Sequence, residues 1–254
     1  MCGRFVSSSP PAEIARYFGA EVVDAELAPN PNVAPSSDVY VVYSDGGARR
    51  VDAFHWGLVP GWAKDLSIGN RMTNARAETV ATKNAFKGSL AKRRCIVPAE
   101  GFYEWSVVPG QKAKQPYFIH RPDGEPLAFG GLWSEWRGEL GGEPTVVRST
   151  TIITTAANER IAPLHDRMPL MVPPGDWDRW LDPAWRDVEA ISTLLVPAPL
   201  ELVTFHAVST EVNNARNKGE HLTDPVGPEG VLLTQPAAPS AAPPDPAQGS
   251  LLDG

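Results

Sequence analysis

The chain has 254 residues, 42% of them hydrophobic, with two cysteines and a net charge of −7. That suits one large domain with its own core and leaves no apolar run near the ~18–20 residues that span a bilayer. Two cysteines exclude a disulfide framework, and no charged-then-apolar leader opens the chain, so a reducing cytoplasm is expected. The acidic balance argues against a polyanionic partner, but it is uneven. From Asp224 onward there are four acids and no Lys or Arg, which leaves −3 for residues 1–223. Arginines gather at Arg4, Arg71, Arg76, Arg93, Arg94, Arg160 and Arg167. Local positive charge holds phosphate even on an acidic protein, because screening acts over about 8 Å at physiological salt. For any one of these arginines, a solvated surface is the simpler reading.

In chain order, Met1-Cys2-Gly3-Arg4-Phe5 comes first. Removal of Met1 would leave Cys2 with an α-amine and a thiol on adjacent carbons, of ordinary pKa about 7.7–8.0 and 8.5. Together they condense with an aldehyde to a five-membered thiazolidine. On position alone, a frayed terminus in which Cys2 is incidental is the simpler reading. Ser9-Pro10-Pro11 predicts a helix start with Ser9 as cap and Pro10 at the first position, and Gly19 its end. Residues 27–37, with three prolines, are expected to lack regular structure. Val39–Tyr43 and Arg49–Trp56 predict two strands around a Ser44–Gly47 turn.

Trp56-Gly57-Leu58-Val59-Pro60-Gly61-Trp62 is either a rigid core corner or an exposed platform for stacking bases. Asn74 and Arg76 lie in a polar stretch that is a surface loop or one offering an amide and a guanidinium to a ligand. A broken helical region follows, from Glu78 to Lys92. Cys95-Ile96-Val97 predicts a buried strand that Pro98 ends, with Cys95 as inert packing. Phe102-Tyr103-Glu104-Trp105 predicts another. Alternation sets Phe102 and Glu104 on one face and Tyr103 and Trp105 on the other. Glu104 is then at a solvent edge, the simpler reading, or in a dry pocket where its pKa rises toward the range of proton transfer.

Further strands are expected at 116–120, 127–136, 147–155 and 200–208, and helices at 176–181 and 187–195. Among the five histidines, His165 has the most tunable setting, beside Asp166 and Arg167. From residue 223 to 254 the chain reads as a Pro/Ala-rich disordered tail, with seven prolines between Pro225 and Pro246. No phosphate-binding Gly loop, CxxC, HExxH or GxSxG occurs, so no metal and no cofactor is expected. Many short strands with few helices predict an α+β domain with mostly antiparallel pairing.

Met-Cys-Gly-Arg-Phe, Trp56–Pro60 with Trp62-Ala63, Asn74–Thr79, Cys95–Trp105 and Leu164-His165-Asp166-Arg167-Met168-Pro169 occur in this order. Together they resemble the SOS-response-associated peptidase family, also called abasic-site processing proteins, over residues 2–222. The resemblance implies a single domain with a barrel-like β core and flanking helices. It implies that mature Cys2 attacks the ring-opened aldehyde of an abasic site in single-stranded DNA and forms a thiazolidine crosslink that shields the lesion. Asn74 would hold the terminus, Glu104 would transfer protons, and His165 would assist ring opening and imine formation. Arg4, Arg76 and Arg167 would hold phosphates and Trp62 would stack on or wedge between bases. Weak lyase activity by β-elimination and self-removal of residue 1 are further implications. So are a monomer and nucleoid association on DNA.

Two other readings stay open. Met-Cys-Gly also begins the glutamine amidotransferases with an N-terminal cysteine nucleophile, although those continue with small apolar residues rather than Arg4-Phe5. The other is a non-covalent single-strand-binding module whose Cys2 is incidental.

Overall fold

Val39, Val41 and Tyr43 alternate with Tyr40 and Val42, and all five are buried. A strand buried on both faces must sit between two layers, and here it does. A computed structural model describes residues 3–23, 26–110 and 113–226. In chain order it contains β1 (Phe5–Ser7), α1 (Pro11–Phe18), β2 (Glu21–Val22), β3 (Asn30–Val33), β4 (Asp38–Asp45), β5 (Ala48–Trp56) and β6 (Asn74–Arg76). Next come α2 (Ala77–Val80), α3 (Lys87–Lys92), β7 (Arg94–Ala99), β8 (Gly101–Ser106), β9 (Gln115–His120), β10 (Leu127–Leu140) and β11 (Glu143–Ala156). Then β12 (Arg167–Pro169), α4 (Trp177–Leu181), α5 (Val188–Ser192) and β13 (Thr204–Ala207) complete it.

β4 and β5 form a hairpin through Gly46 and Gly47, whose φ of 60° and 88° is the left-handed conformation a two-residue turn requires. The antiparallel path β5-β4-β7-β10-β11 closes on itself where β11 pairs in parallel with β5, Ser149 beside His55 and Thr150 beside Trp56. The result is a closed five-stranded barrel. A second sheet, in the order β13-β9-β8-β1-β3, packs against it. Helix residues Ile14, Phe18, Leu90, Trp177 and Trp180 cover one face of the barrel strands, joining Tyr40, Val42 and Ile96. The opposite, inward face shares a core with the second sheet through Phe5, Trp56, Phe102, Tyr117 and Phe129. This is the mostly antiparallel, barrel-like α+β domain with flanking helices that was expected.

Several local expectations change. The helix cap falls one residue later than Ser9. Pro10 is the N-cap without a side-chain bond, and the Glu100 carboxylate accepts the Ser8 and Ser9 amides at 2.9 Å. Asn30–Val33 forms a strand despite Pro31, because β3 is an edge and its outer side needs no amide donor. Pro98 does not end β7. It lies opposite Ala128 of β10, while on the β4 side pairing stops at Ile96, so its missing N–H is not needed there. β13 is shorter than expected, and Leu200–Leu202 is a 3₁₀ turn. Residues 224–226, assigned to the tail by composition, pair back onto the domain: Val208 bridges Pro225, and the Val226 amide donates to Ala207. The rest of the tail, 227–254, lies outside the described residues. No helix among the described residues is long and apolar enough to cross a membrane.

Candidate active site

Strand β11 lines up several of the predicted site residues. At Thr150 its carbonyl accepts the Gly57 amide, at Ile152 it lies beside Asn74, and at Thr154 beside Arg76. Past Ala156 the chain turns through 157–166 and returns as β12, bringing His165 and Arg167 to the same end. With a rise of about 3.3 Å per residue, Ser149 to Thr154 covers about 17 Å. Asn158 pins the returning loop: its side chain donates to the Ala198 carbonyl and accepts the Ile161 amide.

The two tryptophans of the Gly/Pro segment divide the alternatives between them. Trp56 is fully buried and donates to the Thr73 carbonyl, whereas Trp62 is 63% exposed. The backbone between them is fixed. Gly57 has a φ of +144°, and a Cβ there would lie 2.6 Å from the Gly69 carbonyl oxygen. Downstream, Trp136 donates to the Ala63 carbonyl at 2.8 Å.

Glu104 is in the dry pocket rather than at the edge, with 3% exposure. It shares the inward face with Phe102, and its cross-strand partner is Tyr117 of β9. Burial pushes its carboxyl up to about 7, assisted by the Asp166 charge and opposed by Lys114. His165 accepts the Arg167 amide on Nδ1 at 3.0 Å, which leaves the hydrogen of the neutral ring on Nε2. Asp166 Oδ1 lies 2.9 Å from the same Nδ1 and would receive its proton in the charged ring. Burial nonetheless holds the His165 pKa below its ordinary value, so the ring is neutral near pH 7. Asp166 and Lys114 act on both Glu104 and His165, which places the two groups in one electrostatic field. The Ser106 hydroxyl, donating to the Pro163 carbonyl at 3.4 Å, ties the end of β8 to the His165 loop.

Cys2 lies outside the described residues, but the strand that follows it is fixed. β1 pairs with β8, Phe5 opposite Phe102, and the Tyr103 amide donates to the Arg4 carbonyl at 3.0 Å. The same register carried on sets Gly3 opposite Glu104. Asn74 is half-buried at the start of β6.

The arginines sort unevenly. Arg76 is exposed. Arg4 donates to Asn32 Oδ1 at 2.6 Å and to the Val212 and Asn213 carbonyls, and it lies over the Trp105 ring. Its guanidinium thus links β1 to β3 and the 210–213 turn before any phosphate is considered. Arg167 makes a bidentate pair with Glu78 and also donates to Thr154. Arg93 lies over Trp133, and Arg160 donates to the Leu200 carbonyl. Arg94, grouped above with candidate phosphate ligands, is buried and bound to carbonyls, which corrects that expectation. Cys95 is inert: burial pushes its thiol up to about 12. Lys114, Glu78 and Thr154 were not singled out from the sequence. Glu78 alone sat inside a quoted motif, where nothing marked its pairing with Arg167. Among the described residues no group of three or more His, Cys, Asp or Glu could hold a metal ion.

A family model described as SOS response associated peptidase matches residues 1–215. The protein named Abasic site processing protein YoqW, from Bacillus subtilis, is 36% identical over 226 residues, covering 88% of this chain and 99% of that protein. Abasic site processing protein HMCES from Pongo abelii is 33% identical over 235 residues, covering 78% of this chain and 65% of that one. In fold alone, a solved structure from Bacteroides thetaiotaomicron superposes with a TM-score of 0.78 at 24% identity, covering 89% of this chain and all of that one.

Proposed function

The chain belongs to the SOS response associated peptidase family, and on that premise we propose that it captures abasic sites in single-stranded DNA through Cys2 once Met1 is removed. The relatives carry abasic site processing in their names. The observation that carries the reading is Glu104, a buried carboxyl held near neutrality on the strand where the β1 register delivers the residues just behind Cys2.

Neutral His165 takes the hydroxyl proton of the closed sugar and returns it to the ring oxygen as the bond from that oxygen to the anomeric carbon breaks, which opens the ring to its aldehyde. The Cys2 amine adds to the aldehyde carbon and forms a carbinolamine. Protonated Glu104 gives its proton to the departing hydroxyl, water leaves, and the nitrogen returns its remaining proton to the Glu104 carboxylate, so that a neutral imine remains. The Cys2 sulfur then bonds to the imine carbon while nitrogen takes up the thiol proton. The balance is aldehyde plus aminothiol giving thiazolidine and one water. Asn74 holds the terminus in reach. Arg76 and Trp62 meet the strand from the exposed side, and Arg4 and Arg167 support the phosphates next to the lesion. The same imine permits strand cleavage by β-elimination, and self-removal of Met1 supplies the free amine.

Intact mass after incubation with an abasic oligonucleotide tests this. The expected species has lost Met1 and gained the oligonucleotide minus one water. A protein that retains Met1 should show no such species, and an unchanged mass for the trimmed protein would overturn the reading. Trp62→Ala should weaken single-strand binding by about 1–3 kcal/mol, or about five- to 150-fold, with the melting temperature unchanged. Fluorescence anisotropy on intact oligonucleotide measures the first and calorimetry the second.

A further inference from the structure

The guanidinium of Arg167 is already occupied. Nη1 and Nη2 each donate to one oxygen of the Glu78 carboxylate, and Nη2 also reaches the Thr154 carbonyl and, at 3.4 Å, its hydroxyl. The two partners differ in exposure: the Glu78 side chain is 54% exposed and that of Arg167 only 14%. The pair therefore closes over Arg167 from outside, with Glu78 as the cover. Arg76 lies beside Thr154 on the neighbouring strand, exposed, and its charge also acts on Glu78. A carboxylate gripped by two parallel N–H donors takes the same fork that a phosphate takes. One guanidinium gripping an exposed carboxylate, with the charge of a second acting on it, thus forms an anion site whose resident anion belongs to the protein.

We propose that Glu78 is a displaceable counter-anion, occupying in the DNA-free protein the edge of Arg167 that a backbone phosphate takes on binding. The proposal rests on the reading of the chain as a DNA-binding protein. Arg167 stays in place during the exchange because Thr154 holds it from the other side, whereas the Glu78 side chain has solvent to move into. Glu78 then sets the affinity for the strand, since each binding event must exchange one anion for another.

Glu78→Gln keeps the size of the side chain and one acceptor for Arg167, but not the charge. Binding of an intact thymidine oligonucleotide, read by anisotropy across a salt series, needs no abasic site and no covalent step. The variant is expected to bind about three- to ten-fold more tightly. Its dependence on salt should steepen by up to about one unit of slope, because no freed Glu78 carboxylate then takes up a cation in place of the one that the phosphate releases. A second readout follows the Glu78 carboxyl of the unaltered protein by NMR: its pKa, held low by Arg167 in the free state, should move up when the oligonucleotide binds. If the unaltered protein binds and Glu78→Gln binds equally or more weakly with the same slope, Glu78 is a brace for Arg167. The inference then falls while the proposed function stands. If neither protein binds the oligonucleotide, both fall.

Discussion

Glu104→Gln should lower the single-turnover rate of adduct formation by about 10²- to 10⁴-fold, the usual worth of a positioned general acid or base. Glutamine keeps the shape in the pocket but cannot deliver a proton to the departing hydroxyl. The rate of the unaltered protein should change through pH 7, where Glu104 titrates, and the variant should lose that inflection. Stability should move the other way. The Glu104 pKa is raised from 4.5 to about 7 in the folded state. Between those values the folded protein binds more protons than the unfolded chain, so stability falls as pH rises. The loss is complete above pH 7 and comes to about 3 kcal/mol. Glu104→Gln removes that loss, so at pH 8 the variant should unfold at higher urea concentration than its parent, while at pH 4 the two should agree. A variant that is slow and also less stable at every pH would make Glu104 a structural group instead.

Arg94→Met should cost about 3–5 kcal/mol of folding stability, a drop of roughly 10 °C in melting temperature. Arg94 is 3% exposed. It is held by carbonyls: Nε donates to Trp180 and Nη1 to Leu90, both at 2.7 Å, and Nη2 to Asp182 and Trp185. The Trp180 and Trp185 rings flank it at 5.9 and 5.5 Å. One side chain at the start of β7 thus satisfies the ends of α3 and α4 together. Methionine fills the space but removes the donor from the Leu90 and Trp180 carbonyls in the interior and from the part-buried Asp182 and Trp185 carbonyls, and each buried acceptor left unpaired is a separate penalty. Arg94→Lys should recover little, because an ammonium group cannot present the planar fork. Adduct formation by the fraction still folded should be unchanged, which separates this residue from the site.

What could be read in the sequence was local. Alternation gave the correct face for Glu104, and Gly46-Gly47 gave the hairpin turn. Whether the face of Glu104 is wet or dry depends on tertiary packing, in which Ile161 and Leu164 join the inward core from a loop far along the chain, and strand periodicity carries no such information. Barrel closure rests on a parallel contact between Ser149 and His55, which no neighbouring residue announces. Pro31 and Pro98 looked like terminators because a proline lacks a donor, but which side of a strand needs donors is decided by the neighbouring strand. Arg93 and Arg94 are adjacent and alike in sequence. One lies over the half-buried Trp133 ring and the other is swallowed by helix ends, a difference that only tertiary packing makes.

The position of β1 has a mechanical consequence. In the second sheet β1 is flanked by β8 on one side and β3 on the other, and Phe5 is fully buried between the two layers. DNA tethered at residue 2 would pull along the axis of this internal strand. Such a load is shared by both rows of interstrand bonds at once, in shear, rather than peeling an edge strand one bond at a time. A polymerase or helicase colliding with the adduct would therefore have to rupture the second sheet before it could extract the terminus.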